Sequence, residues 1–175
     1  KVVDAEGTLL LDMSNDRTYA DSYDLRKSTI HWVGDKEGNI LAPALTHYAK
    51  ELAGYDRFNG VYSYGQNGGV ATLTRSAKMQ TAALEALGDY KGTIAVYNYK
   101  TGELLCAVTT PTYDPNSVPD LTNDPDGIYE GVYVNRFTQS GYIPGSIFKV
   151  VTTAAALECV EGIEEMNFHC YGKLE

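Results

Sequence analysis

The chain has 175 residues, enough for one ordinary domain or for a small module and part of a larger one. With 43% hydrophobic and 21% charged residues it has the composition of a globular protein, which excludes an intrinsically disordered chain. A net charge of −9 excludes recognition of nucleic acid or of an anionic membrane surface through a general basic field. No apolar run reaches the length that spans a bilayer, and the chain opens at Lys1 without a Met or a signal peptide, leaving room for a removed N-terminal piece.

Taken in order, Val2-Val3-Asp4-Ala5-Glu6-Gly7-Thr8-Leu9-Leu10-Leu11 predicts strand, turn, strand, with Gly7 in the turn. From Asn15 to Gly38 the chain is polar and mixed, and we assign no element there. His31 lies beside Trp32, a setting that suits a packed structural histidine better than a catalytic base. Pro43 starts a short amphipathic helix carrying Leu45, Tyr48, Ala49 and Leu52, and Gly54 ends it. The Gly-, Asn- and Tyr-rich stretch from Tyr55 to Gly69 lacks the spacing of a phosphate-binding loop and reads as a linker. We therefore expect two modules, residues 1–70 and 71–175.

In the second module Thr72-Leu73-Thr74 predicts a short strand. Thr74 or Ser76 then caps a helix whose apolar face is Met79, Ala82, Ala83, Ala86 and Leu87, stopped by Gly88. Thr93 to Tyr97 and Glu103 to Val108 predict a hairpin turning through Asn98-Tyr99-Lys100-Thr101-Gly102. Residues 117–133, rich in Pro, Asp and Asn, are long for a connection and read as a mobile loop or as part of a binding groove. Cys106, Cys159 and Cys170 are too few and too scattered for a disulfide scaffold, although Cys159 can pair with Cys170 or Cys170 with a cysteine beyond Glu175. His169 and Cys170 are two ligands, short of a zinc site, so no metal and no cofactor is expected. Fourteen tyrosines suit strand and interface packing as well as carbohydrate or protein contacts.

The stretch from Ser140 to Lys149 carries the chemistry. Pro144 and Gly145 punctuate the chain, and from Ser146 an apolar run through Ile147, Phe148, Val150, Val151, Ala154, Ala155, Ala156 and Leu157 predicts a helix buried on nearly every side. Lys149 on such a helix is costly as an ammonium, and desolvation favours the neutral amine that can act as a base. Ser146 lies one turn earlier, so its hydroxyl and the amine are placed to share a proton, with free backbone N–H groups beside the serine for an oxyanion. We take Ser146 and Lys149 as the candidate catalytic residues.

Pro144-Gly145-Ser146-Ile147-Phe148-Lys149-Val150, preceded by Asn135-Arg136 and Gly141-Tyr142, resembles the active-site stretch of penicillin-binding proteins, Pro-Gly-Ser-Thr-Phe-Lys, with Ile147 in place of Thr. Further matches follow the family in order. Residues 2–11 are similar to its opening Asp-Arg-Asn-Gly turn, and Arg17, Tyr19, His31, Val33 and Gly34 match its Arg-x-Tyr and His-x-Val-Gly spacing. Leu73-Thr74-Arg75-Ser76 with Met79-Gln80 stands where the family has Leu-Thr-Ile-Asp and Leu-Gln. Thr101-Gly102-Glu103-Leu104-Leu105 and Pro111-Thr112-Tyr113-Asp114-Pro115-Asn116 match two further stretches, so the Lys100-Thr101-Gly102 triplet belongs to a hairpin turn and not to the family's later substrate-binding strand. Neither a Ser-x-Asn nor a second Lys-Thr-Gly follows Lys149, which we read as the mark of a fragment.

The resemblance implies an α/β (α+β) transpeptidase sheet flanked by helices and preceded by a small β-rich pedestal. It also implies a class B peptidoglycan D,D-transpeptidase working through an acyl-enzyme on Ser146, with Lys149 taking its proton. The implied partners are peptidoglycan stem peptides, β-lactams and cell-division or elongation proteins. The implied location is the extracytoplasmic face of the cell membrane, held by an N-terminal helix outside this chain. Cys170 would then pair further along the chain. A serine β-lactamase or β-lactam sensor, and a non-enzymatic cell-wall interaction module, are the alternative readings.

Overall fold

A computed structural model describes every residue except 15, 57, 59, 63–67, 168, 170 and 173–175. Its contacts group the chain into two compact units, Lys1–Ser140 and Gly141–Glu175.

The first unit is built on a four-stranded sheet of order β3-β2-β1-β6, from β1 (Val2–Val3), β2 (Leu9–Asp12), β3 (Thr18–Tyr19) and β6 (Ala71–Thr72). The first three strands are antiparallel neighbours, whereas β6 lies parallel to β1. The opening turn forms as the sequence predicts, with Gly7 at φ 87°, a left-handed conformation that favours glycine. Asp4 holds this turn, its Oδ1 accepting the Glu6 and Thr8 N–H groups. Its Oδ2 accepts the N–H of Ala77 and so caps a helix 73 residues away. The expected caps are thereby corrected: Ser76 occupies the N-cap position of α4 (Ala77–Leu87) without a side-chain bond, and Thr74 Oγ1 donates to Leu104 O instead.

The polar stretch without an assigned element contains helix α1 (Tyr23–Val33), capped by Ser22 and closed by Gly34. Its inward side is partly polar, which hides the apolar period from the sequence: Ser28, Thr29 and His31 are buried beside Leu25, Ile30, Trp32 and Val33. Gln80 of α4 secures the contact, its Nε2 donating to Ser28 O and its Oε1 accepting the Ala107 N–H. The helix expected from Pro43 breaks at Tyr48, whose backbone turns to φ −104° and ψ 24°, giving α2 (Pro43–His47) and α3 (Ala49–Leu52).

A small hairpin, β4 (Tyr55–Asp56) with β5 (Val61–Tyr62), follows α3. Much of the expected linker lies outside the described residues. Its boundaries are clear: Gly54 has φ 70°, and a Cβ there would lie 3.7 Å from Gly68 Cα. A Cβ on Gly68 would meet Leu52 O at 2.0 Å and one on Gly69 would meet Glu51 O at 2.3 Å, so only glycine lets the returning chain lie against α3.

The hairpin of β7 (Gly92–Tyr97) and β8 (Leu104–Thr110) is antiparallel as predicted and packs on α4 through Ala83, Leu87, Cys106 and Val108. Lys100-Thr101-Gly102 occupies its turn, where Gly102 has φ 77° and its N–H donates to Asn98 O. The long segment after β8 is packed: Tyr113 and Val132 share a core cluster with Ile30 and Ile40, and Leu121 and Tyr129 pack against it. Asp124 accepts the Ile128 and Tyr129 N–H groups within that segment. A four-residue helix, α5 (Arg136–Gln139), ends the unit. The second unit holds a 3-10 turn (Gly145–Phe148), α6 (Lys149–Cys159) and a second 3-10 turn (Ile163–Glu165).

Candidate active site

Ser146 and Lys149 sit on one uninterrupted helical path. Pro144 (φ −68°) leads into Gly145 at φ 54°, and this left-handed glycine turns the chain into the 3-10 turn that carries Ser146. Lys149 opens α6, and its N–H donates to the carbonyls of Ser146 and Ile147. Serine and lysine are therefore one turn apart, as their spacing predicts. The Ser146 N–H meets no acceptor among the described residues, so a free donor of the helix start lies at the candidate nucleophile itself. A carbonyl placed over Ser146 would find a nucleophilic oxygen, a neighbouring amine and an unspent N–H within one turn of chain.

The expected burial of this helix is corrected. Val150 is 75% exposed, Val151 54% and Ile147 75%, and both Ser146 and Lys149 are exposed. Within its own unit α6 meets only the short turns that flank it, and these cannot cover an apolar surface on nearly every side. Among the described residues the Lys149 side chain has no hydrogen-bond or ion-pair partner.

His31, the other residue with acid–base potential, is structural, as expected from its setting. It is 1% exposed, its Nε2 lies 2.8 Å from Val132 O, and burial pushes the imidazole down to about 4. Asn135 Nδ2 donates to His31 O, while Asn135 Oδ1 caps α5 by accepting the Phe137 N–H. The adjoining Arg136 donates from Nε to Thr110 O and from Nη2 to Glu130 O. The Asn135-Arg136 pair thus ties α5 to α1 and β8. Tyr19 and Gly34 have the same kind of role, the Tyr19 hydroxyl donating to Gly34 O.

Arg26 is a structural residue with no advance signal in the sequence. Its guanidinium grips Asp114 in a fork, Nε to Oδ1 at 2.7 Å and Nη2 to Oδ2 at 2.8 Å, and this pairing holds the Asp114 carboxyl below the usual carboxylate range. No group of three or more His, Cys, Asp or Glu able to hold a metal occurs among the described residues. Cys106 is buried and Cys159 exposed, and the suggested Cys159–Cys170 pair lies outside the described residues.

Comparison with known proteins places these features in a wider setting. Residues 92–161 match the family model described as penicillin binding protein transpeptidase domain. The chain is 35% identical over 104 residues to the peptidoglycan D,D-transpeptidase PbpA of Mycolicibacterium smegmatis, covering 52% of this chain and 21% of that one. It is 34% identical over 94 residues to the peptidoglycan D,D-transpeptidase MrdA of Escherichia coli, covering 49% and 14%. Among solved structures it superposes on the D,D-transpeptidase domain of a peptidoglycan glycosyltransferase from Eggerthella lenta with a TM-score of 0.65 and 26% identity, over 90% of this chain and 36% of that one. Pseudomonas aeruginosa PBP2 in complex with WCK 5153 gives a TM-score of 0.58 and 25% identity, over 89% and 38%. The chain thus spans about a fifth or less of the length of these two curated relatives. Its mixed α/β architecture is that of these solved structures, and the relatives are transpeptidases, not β-lactamases or interaction modules.

Proposed function

We propose, from the premise that this chain belongs to the penicillin-binding protein transpeptidase family, that it forms part of a class B peptidoglycan D,D-transpeptidase with Ser146 as its nucleophile. The observation that carries this reading is the Gly145-directed turn, which sets Ser146 one helical turn before Lys149 and leaves its N–H unspent.

In the proposed reaction Ser146 Oγ attacks the carbonyl of the D-Ala-D-Ala amide while Lys149 Nζ accepts the hydroxyl proton. The amide C–N bond breaks, the proton passes to the departing D-alanine amine, and an ester to Ser146 remains. The amine of a second stem peptide then attacks this ester, forming the cross-link and returning the proton to Ser146. A β-lactam opens on the same hydroxyl and stays attached as a stable ester. No metal or cofactor takes part in this scheme.

The surface of α6 fits the proposal that the rest of the whole gene product covers this helix, bringing Lys149 into the desolvated setting where a neutral amine is favoured. We place the parent outside the cytoplasmic membrane, held by an anchor outside this chain, with division or elongation proteins as partners of its first unit. No described helix is itself long and apolar enough to cross a membrane.

Intact mass after incubation with benzylpenicillin tests the reading, run on the whole gene product and on its Ser146→Ala variant. A stable adduct of one penicillin mass, lost in the variant, is the expected result. An unmodified whole product, or an adduct that survives the substitution, overturns the assignment.

A further inference from the structure

We infer that the cavity beside Arg75 is a binding site for a carboxylate carried on an apolar body. The cavity, about 320 Å³, lies within the first unit and is lined in part by Trp32, Pro43, His47, Tyr48, Leu73 and Arg75.

Arg75 is only 8% exposed, yet its Nε has no acceptor, and among the described residues its guanidinium has neither a hydrogen-bond partner nor a carboxylate to pair with. This sets it apart from Arg26 and Arg136. Arg26 takes both oxygens of Asp114 and two backbone carbonyls, and Arg136 takes two carbonyls. Burial pushes Arg75 down to about 10, which still leaves it charged at neutral pH. A buried, unpaired charge is costly. The ring of Trp32, 3.5 Å from the guanidinium carbon, offsets part of that cost and no more.

Both partners are fixed in advance. Arg75 O accepts the Ala5 N–H and Ser76 N–H donates to Leu105 O, clamping the backbone on either side of the arginine side chain. Trp32 Nε1 donates to Ala107 O at 2.6 Å. With its backbone clamped and its guanidinium stacked on a fixed ring, the arginine has less freedom to lose when an anion arrives. The single positive fork matches a planar carboxylate. The aromatic and aliphatic lining matches an apolar body behind it. A net charge of −9 disfavours anions of higher charge. A free acid and the carboxyl end of a polypeptide present the same chemistry.

Trp32 is the single tryptophan, and its stacking on Arg75 makes its fluorescence the readout. The full 175-residue chain is titrated at fixed ionic strength with 3-phenylpropionate and with an acetylated peptide ending in a phenylalanine carboxylate, each against its amide. The expected result is a saturable change with at least one acid, weaker by roughly tenfold or more with the matching amide. Response to the free acid alone identifies a small-molecule site, and response to the peptide alone identifies a site for a chain end. The same response should vanish in Arg75→Met and weaken in Arg75→Lys, with far-UV circular dichroism confirming the fold. No saturable change with either acid, or equal affinity for acid and amide, overturns the inference, and this comparison on the unsubstituted chain requires no variant to fold.

Discussion

The two units treat burial in opposite ways. The first hides many polar groups and provides for most of them: Asp4 accepts three amides, Gln80 bridges two elements, Asn135 ties α1 to α5, and Arg26 grips Asp114. The second carries the more uniformly apolar helix and leaves it uncovered. Apolar composition by itself therefore does not bury a helix; a facing surface does, and a polar stretch such as Tyr23–Val33 is buried where partners for its polar groups exist.

The largest effect that sharpens this contrast is chemical. Ser146→Ala should abolish the penicillin adduct of the whole gene product by intact mass while leaving the thermal midpoint of the 175-residue chain unchanged, since Ser146 is exposed there and its side chain has no hydrogen bond among the described residues. A fall in the midpoint would show that the reactive turn also supports the fold. Next comes the core of the first unit. Leu11 is completely buried, so Leu11→Ala should cost about 3 kcal/mol in a urea titration of the 175-residue chain. A loss comparable to that of a surface substitution would mean that the sheet is not the stabilising centre of the unit.

An acid-sensitive difference follows from His31. Its folded-state value is about 4 against 6.5 for the free side chain, so between these values the unfolded chain binds a proton that the folded chain refuses. Its contribution is complete above pH 6.5, is lost as pH falls toward 4, and levels off below that. Urea midpoints measured across this window should decline less steeply in His31→Gln; an unchanged slope would remove His31 as the cause. The smallest effect concerns α6. Val150→Ala in the 175-residue chain should change stability by no more than about 0.5 kcal/mol. In the whole gene product the same substitution should cost about 1 kcal/mol if the rest of the polypeptide covers the helix. Equal, negligible costs in both would count against that covering.

Much of the fold is legible where one residue type has one physical use. Gly7 and Gly102 mark turns because their backbones are left-handed, and the strand runs on either side of Gly102 pair as expected. The spacing of Ser146 and Lys149 similarly needs only helical geometry. What stays hidden depends on partners distant in sequence. Helix α1 lacks a clean apolar stripe because His31 turns inward to meet Val132 O and Ser28 is buried where Gln80 donates to its backbone carbonyl. Arg26 looks like any surface arginine until Asp114, 88 residues later, is placed against it. The missed cap at Ala77 has the same origin, since Asp4 lies 73 residues before it.

The meeting of Gly54 with Gly68 has a consequence for how this molecule can diversify. The chain leaves the body after α3 and re-enters almost where it left, with its return fixed by glycines lying against Leu52 and Glu51. A side chain at Gly68 or Gly69 would push that return away from α3 and displace the strand that follows, so the register of β6 against β1 hangs on two positions that tolerate no Cβ, and any diversity here has to leave those two glycines in place.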